Sequence, residues 1–316
     1  MRTCHFNPNR DAAGASDSSI GLVLSGGGAK GAYQAGVWKA LAESGIIERI
    51  DAISGTSVGA INAVAFAVIK DPDRINTFWH DNVSEIATPN LEVLSFAELL
   101  SAFERIAMGV QFPFQGLLRQ EVLESVLRDL LPLEWPAKVP NVYSTALKCI
   151  GSSFEEFNRK SYRLVRFWLN GEKDAEIRLR KILASCAIPW CFNAVEIGDK
   201  RFIDGGWDAY GGDNLPIKPI LKRHPDIKTI IAIRCNSADI EPDTVMLHHR
   251  PDIKIIEIRP SRPLRGLFAD EMDTLGYGNV PNDVIKWAGS LAFRADLTDA
   301  MFFRGYEDGH EVLEKL

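Results

Sequence analysis

The chain has 316 residues, of which 46% are hydrophobic and 25% are charged, as in an ordinary globular protein. Its formal net charge of −6 leaves no basic surplus to neutralise phosphates, which argues against nucleic acid as a partner and against adhesion to anionic membranes by charge alone. The length allows one large α/β domain or two small ones.

The cysteines and the N-terminus bear on the compartment. The five cysteines are an odd number without a C-x-x-C pair, which favours a reducing environment. The polar N-terminus lacks the apolar segment of a secretory signal, and the most apolar run, residues 58–69, is short for a membrane span and is interrupted by Asn62. We therefore expect a cytoplasmic protein with a flexible tail over residues 1–18, no signal peptide and no transmembrane segment.

A first glycine motif follows a β-prone run at residues 20–24. The run enters SGGGAKG at 25–31, and a helical pattern follows, with Gly45 just past its end. The spacing of Gly26, Gly28 and Gly31 fits a dinucleotide-binding fingerprint, but Asp51 lies near the start of the next strand, not at its end where a ribose would need it. What remains is a row of backbone N–H groups at a helix N-terminus, an anion site that can serve as an oxyanion hole. We assign the hole to Gly26, Gly27 and Gly28.

A second glycine motif has the form G-x-S-x-G. Residues 50–53 are predicted to be a short strand, and GTSVG at 55–59 leads straight into an apolar helix over 58–69. A serine between a strand and a helix lies on a strained turn with its hydroxyl exposed, and flanking glycines avoid collisions with neighbouring backbone. Ser57 is therefore the candidate nucleophile, supported by Gly55 and Gly59. The alternative is an ordinary β-to-α turn with a capping serine.

The middle of the chain is predicted to be helical over about 71–140, with an amphipathic stripe from Leu117 to Leu131 that Pro132 ends. The apolar segment 108–114 is interpreted equally as a mobile lid and as a buried connection. Further on we predict a strand at 141–150, a hairpin at 154–168 and a helix at 175–185. The hairpin carries a basic cluster, which favours a solvated strand edge over a phosphate site: Arg159, Lys160, Arg163 and Arg166.

A third motif follows a predicted hairpin with arms at 195–197 and 200–203. The hairpin ends in Asp204, Gly205 and Gly206. Strands at 229–234 and 253–258 and a helical tail from about Val280 complete the pattern. By itself an Asp-Gly-Gly sequence indicates only a turn after a strand.

Together and in this order, the three motifs resemble those of the patatin-like lipid acyl hydrolases, over roughly residues 19–235. The resemblance implies an α/β fold with a central, mostly parallel sheet flanked by helices in three layers. It also implies a catalytic domain over 19–265 with a helical insertion at about 71–140. A C-terminal helical extension, 266–316, is then expected to pack on the same domain.

The same resemblance implies the chemistry. Asp204 would act as proton acceptor for Ser57 in a Ser/Asp dyad, Gly205 and Gly206 would let the backbone pass close to the serine, and neither a metal nor a cofactor is expected. The substrates would be phospholipids or other acyl lipids, met by peripheral contact with a membrane surface. Lys30 is expected to balance surface charge and not to bind phosphate. A homodimer and an unidentified activator remain open.

One departure from the family concerns the loop after the third motif. Relatives often carry Asn-x-Pro two to four residues after Asp-Gly-Gly, whereas here residues 207–213 intervene before Asn214. This loop contains Asp208 and Asp213 as weaker alternative bases, and its length leaves the head-group preference open.

Three alternatives remain. A Ser-Asp-His triad would draw on one of the histidines that follow Asp204, none of which lies in a distinctive loop signature: His224, His248, His249 and His310. A regulatory module could bind a nucleotide at Gly26–Gly31 without catalysis. A scaffold or effector could keep its hydrolase silent until a partner or small messenger binds.

Overall fold

The computed structural model describes most of the chain, and the following account is limited to that part: residues 19–86, 118–132, 134–150, 161–189, 191–207, 210–236, 250–262, 264 and 294–315. Within these residues eight strands form a single sheet. They are β1 (Ile20–Leu24), β2 (Ile50–Thr56), β3 (Asn141–Cys149), β4 (Tyr162–Trp168), β5 (Val195–Ile197), β6 (Lys200–Asp204), β7 (Thr229–Ile233) and β8 (Lys254–Ile258).

The sheet is mixed, with a parallel centre. Strands β3, β2, β1, β7 and β8 lie side by side and run parallel, as expected of strands joined by helical crossovers. Strand β4 pairs antiparallel with β3, while β5 and β6 form a hairpin whose β6 arm is also antiparallel to β3. The chain therefore has the mixed α/β architecture that was predicted.

Helices cover both faces of the sheet. The described α-helices are α1 (Gly31–Glu43), α2 (Val58–Val68), α3 (Pro72–Ile86), α4 (Gln120–Leu130), α5 (Ala175–Cys186), α6 (Lys218–Arg223) and α7 (Ala295–Leu313). Successive strand residues point to opposite faces, so Leu22 and Leu24 belong to the large core shared with α1, α2 and α5, whereas Val23 packs with Ile220 of α6. None of these helices is long and apolar enough to cross a bilayer.

The C-terminal helix α7 packs directly on α1. Their backbones approach so closely that a Cβ at Gly305 would meet the carbonyl oxygen of Tyr33, and one at Gly36 would meet that of Phe302. Beside this crossing the Tyr33 hydroxyl donates to the buried carboxylate of Asp308 at 3.1 Å. Because α1 begins at the first glycine motif, α7 supports the helix that carries that motif.

Strand β3 also determines where two other strands end. Thr56, the last residue of β2, pairs with Thr145, and Asp204, the last residue of β6, pairs with Ala146. Strand β4 occupies the opposite edge of β3 at both places, so β2 and β6 lie on the same edge and approach each other end to end. This arrangement brings the ends of two strands that are far apart in sequence to one point.

Several predicted elements differ in detail or lie outside the described residues. Strand β2 continues to Thr56, beyond the predicted end at Ile53, and β4 pairs with β3; the other arm of the predicted hairpin is not described. Also outside the described residues are the lid segment 108–114, the central part of the helical insertion, Arg159, Lys160, Asp208, His248 and His249.

Candidate active site

Ser57 lies on the tight turn between β2 and α2. Its backbone has φ 57° and ψ −129°, a positive φ that costs a non-glycine residue about 1–3 kcal/mol. The turn is packed against the end of β1, because a Cβ at Gly59 would come within 2.7 Å of the carbonyl oxygen of Ser25. Ser57 is 6% exposed. A strained, closely packed strand-to-helix turn is the geometry that presents a serine hydroxyl for reaction.

Asp204 ends β6 and is 3% exposed. Its Oδ1 accepts a hydrogen bond from the Gly206 N–H at 2.7 Å. Loss of solvation raises the pKa of this carboxyl to about 7, although donation from the Ser57 hydroxyl and the Gly206 N–H acts in the opposite direction. Within the described residues no donor reaches its Oδ2 with full hydrogen-bond geometry. Catalytic hydrogen bonds are often long in the absence of substrate and tighten when it binds.

The first glycine motif lies beside Ser57. A Cβ built at Gly26 would be 3.1 Å from the Ser57 Cβ, so the loop and the turn are in contact. The Gly26 N–H donates to the backbone oxygen of Asn214 at 3.2 Å and to its Oδ1 at 3.1 Å, which leaves this donor already engaged. No acceptor is found among the described residues for the N–H groups of Gly27 and Gly28, and Gly28 has a positive φ of 58°.

A buried amide network holds the glycine loop and α1 in place. Gln34 donates through Nε2 to the carbonyl oxygen of Ser25 at 2.7 Å. Asn62 donates to Gln34 Oε1 and to the Gly31 carbonyl oxygen, each at 2.9 Å, and accepts from Trp79 Nε1 at 3.0 Å. From the sequence, Asn62 is interpreted only as an interruption of an apolar helix. An amide in such a helix has to find hydrogen-bond partners, and this was the available signal.

The long loop after Asp204 is attached to the same place. Asp213 donates its N–H to the Gly205 carbonyl oxygen and accepts from Thr56 Oγ1 at its own carbonyl oxygen. Its carboxylate pairs with Arg166 at 2.5 Å, where both side chains are partly buried. Asp213 is therefore committed to an ion pair, and Arg166 lies in this contact instead of on a solvated strand edge.

The described histidines that follow Asp204 bind other residues, and Lys30 is not at the surface. His224 contacts the Tyr143 hydroxyl at 2.9 Å, and burial lowers its pKa while Asp51, near the start of β2, acts against that effect. His310 pairs with Glu43 at the far end of α1. Lys30, predicted at the surface, is buried at 7% exposure. The described residues contain no group of three or more His, Cys, Asp and Glu that could hold a metal ion.

The fold and the site together define a class of α/β proteins with a serine on a strained strand-to-helix turn, facing a glycine-rich loop and a buried carboxyl. Comparison with known families identifies the group within this class. Residues 22–221 match the model of the patatin-like phospholipases, and the chain belongs to that family.

Individual relatives differ greatly in length. Over 95 residues the chain is 59% identical to lysophospholipase nte1 of Aspergillus terreus, a match that covers 30% of this chain and only 5% of the fungal protein. A cUMP-AMP-activated phospholipase of Escherichia coli is 28% identical over 221 residues, covering 66% of this chain and 62% of that protein. Among solved structures, VipD from Legionella pneumophila aligns with a TM-score of 0.45 at 14% identity, over 95% of this chain and 67% of that one.

Proposed function

We propose that this chain is a lipid acyl hydrolase that cleaves carboxylic esters of phospholipids or other acyl lipids. Membership of the patatin-like phospholipase family supports the class of substrate. The observation that carries the proposal is the buried carboxyl of Asp204, with a pKa of about 7, beside the hydroxyl of Ser57. A base works best when its pKa is close to the working pH, and an ordinary aspartate is too acidic for that task.

In the first step the Ser57 Oγ attacks the ester carbonyl carbon while Asp204 takes the hydroxyl proton. We assign the acceptor role to Oδ2, which has no described hydrogen-bond partner, whereas Oδ1 already accepts from the Gly206 N–H. The C–O bond to the alcohol then breaks, and Asp204 returns the proton to the departing alcohol or lysolipid. The acyl group remains on Ser57 as an ester.

The negative charge that develops on the carbonyl oxygen needs donors close to Ser57. The N–H groups of Gly27 and Gly28 suit this role because they are not engaged with other described residues, whereas Gly26 is bound to Asn214. Removal of one such donor typically costs about 10²–10³ in rate. Gly26 would then support the loop, and Gly27 and Gly28 would hold the oxyanion.

In the second step a water molecule attacks the acyl-enzyme. Asp204 accepts a proton from the water and returns it to the Ser57 oxygen as the fatty acid leaves, which restores both groups. No step requires a metal ion, and the protein's own carboxyl carries the proton in both directions.

The decisive experiment measures hydrolysis of a short-chain chromogenic ester and of mixed phospholipid vesicles by wild type, Ser57→Ala and Asp204→Asn. Both variants should fold and lose at least about 10³-fold in rate. A parallel series with added cUMP-AMP tests whether this chain shares the activation named for its E. coli relative. Full activity of Asp204→Asn would refute the assigned base. Inactivity of wild type on all substrates, with and without the nucleotide, would favour a non-catalytic role.

A further inference from the structure

Three consecutive residues at the C-terminal end of α5, Ser185 to Ala187, form hydrogen bonds to the backbone of Ser57 and Asp204, the two members of the proposed dyad. The Ser57 N–H donates to Ser185 Oγ at 2.9 Å, and the thiol of Cys186 donates to the Ser57 carbonyl oxygen at 3.2 Å. The next residue, Ala187, accepts the Asp204 N–H at its carbonyl oxygen at 2.8 Å. The segment thus contacts both peptide groups of Ser57 and also the backbone of Asp204.

The direction of these hydrogen bonds is determined by the partners. Ser185 is completely buried, and its hydroxyl donates its single proton to the carbonyl oxygen of Thr145 at 2.6 Å. It can therefore only accept from Ser57. Thr145 in turn pairs with Thr56, next to the residue that pairs with Asp204. The Ser185 hydroxyl therefore links the strained turn at Ser57 to β3, the strand along which the ends of β2 and β6 meet.

The backbone strain at Ser57 indicates why its hydrogen bonds to Ser185 and Cys186 matter. A non-glycine residue at φ 57° persists only when its surroundings hold it there. Hydrogen bonds to the N–H and to the C=O of the same residue resist rotation of both adjacent peptide groups. The Ser57 carbonyl oxygen is also held by the Ala60 N–H at 2.8 Å, so the peptide group before Ser57, whose N–H binds Ser185, is the one that loss of these contacts would free. Its rotation would move the Ser57 hydroxyl away from Asp204.

We infer that Ser185, assisted by Cys186, is a positioning residue that holds Ser57 in its reactive conformation. The inference rests on the proposed function, because it assumes that Ser57 is the nucleophile. A nucleophile displaced by about 1 Å can lose about 100-fold in rate. The effect should therefore appear in kcat and in the reactivity of Ser57, and not in substrate affinity.

Ser144, the residue before Thr145 on β3, provides a matched control. Ser144 is also completely buried, and its hydroxyl donates across the same contact between β3 and α5, to the carbonyl oxygen of Lys181 at 3.4 Å. It makes no described hydrogen bond to Ser57 or Asp204. Ser144→Ala therefore removes a buried serine hydroxyl between the same two elements and leaves the turn untouched.

The experiment compares wild type, Ser185→Ala, Cys186→Ala and Ser144→Ala. For each we would measure kcat and KM on the chromogenic ester, Tm, and the rate of labelling by an alkyl fluorophosphonate. In that labelling the Ser57 oxygen forms a bond to phosphorus, the P–F bond breaks, fluoride leaves, and the serine proton passes to Asp204. Mass spectrometry locates the adduct, and the labelling rate at saturating reagent measures the reactivity of the nucleophile without the hydrolysis of an acyl-enzyme.

We expect Ser185→Ala to lower kcat and the labelling rate by about 10–100-fold with KM changed by less than about twofold. Cys186→Ala should lower both rates by about two- to tenfold, a smaller loss because a thiol is a weak donor. Ser144→Ala should stay within about twofold of wild type. Equal behaviour of Ser185→Ala and Ser144→Ala would overturn the inference, as would a loss confined to KM or to Tm.

Three further outcomes separate failure of the positioning role from failure of the proposed function. If Ser185→Ala does not fold, Cys186→Ala decides: slower labelling at unchanged Tm supports the positioning role, and a wild-type labelling rate rejects it. If wild type is labelled at a residue other than Ser57, the proposed nucleophile is wrong and the inference falls with it. If labelling occurs at Ser57 but does not depend on residues 185 and 186, the proposed function stands and only the positioning role fails.

Discussion

Thr56 and Asp204 pair with consecutive residues on one edge of β3, Thr145 and Ala146. Strand β2 therefore ends where β6 also ends, and the residue after Thr56 lies beside the carboxyl of Asp204. Where the two strand ends approach each other the carboxyl of Asp204 is buried, and the loss of solvation raises its pKa to about 7. The topology of the sheet thus accounts both for the proximity of Ser57 to Asp204 and for the raised pKa of the Asp204 carboxyl.

The pH dependence of hydrolysis follows from the acidity of Asp204. Only the ionised carboxylate can accept the Ser57 proton, so kcat/KM should rise with pH, with a midpoint near 7, and should fall about tenfold for each pH unit below it. The measurement is a profile of kcat/KM on a soluble ester between pH 5 and 9. A rate that stays constant down to pH 5 would mean that the base has an ordinary aspartate pKa, or that another group acts.

The same burial predicts that Asp204→Asn stabilises the protein. Because the pKa is higher in the folded than in the unfolded state, the folded state binds more protons between about pH 4 and 7, and the free energy of unfolding of wild type falls as pH rises through that window. Asparagine avoids this cost. The stability advantage of Asp204→Asn should therefore grow by about 2 kcal/mol between pH 5.5 and 8.5, as measured by urea unfolding.

The control for this stability measurement is Asp199→Asn, which changes an exposed aspartate in the turn between β5 and β6. The pH dependence of Asp204→Asn is measured relative to this variant, which also loses one carboxyl group. If the stability advantage of Asp204→Asn is the same at both pH values, ionisation of Asp204 carries no folding cost.

Local patterns in the sequence predict most elements of the fold. Apolar periodicity and glycine punctuation predict α1, α2, β7 and the β5–β6 hairpin, because these signals depend on neighbouring residues. Strand β2 was predicted too short, since Gly55 has a low strand propensity, but pairing with β1 and β3 on both sides continues the strand through it. The pairing of β4 with β3 depends on tertiary contacts that no local pattern contains.

The candidate site, like the fold, could be predicted from the sequence only in part. Ser57 and Asp204 were assigned from motifs and family resemblance, and their proximity depends on the register along β3. The partners of the site residues could not be predicted, because Asn214 reaches Gly26 across 188 positions and Ser185 reaches Ser57 across 128. The burial of Lys30 was also missed, since a lysine within a glycine loop gives no sign of the layers that will cover it.

The backbone strain at Ser57 predicts different stabilities for two substitutions at this position. Both Ser57→Ala and Ser57→Gly remove the hydroxyl, but only glycine adopts φ 57° and ψ −129° without strain. Ser57→Gly should be more stable than Ser57→Ala by about 1 kcal/mol or more, and both should be inactive. Unfolding in urea at pH 8 measures the difference. A less stable glycine variant would indicate that its extra freedom in the unfolded chain outweighs the strain.

Asn214 links the glycine loop to the loop that follows Asp204, and this link predicts two distinct phenotypes. Its Oδ1 accepts the Gly26 N–H at 3.1 Å, and a Cβ built at Gly206 would be 2.8 Å from the same atom. Asn214→Ala removes the side-chain acceptor, leaves the Gly26 N–H only the backbone oxygen of residue 214 at 3.2 Å, and so loosens the glycine loop. We expect a fall of about tenfold or more in kcat with an unchanged pH midpoint.

Asn214→Asp retains an oxygen acceptor for Gly26 but adds a negative charge near the turn that holds Asp204. A nearby like charge disfavours ionisation of a carboxyl, so the midpoint of the kcat/KM profile should move to higher pH, while the rate at high pH recovers toward wild type. The two variants are compared on the same soluble ester between pH 5 and 9.5. If both show the same loss and the same midpoint as each other, Asn214 acts only through packing, and its side-chain oxygen does not position the glycine loop.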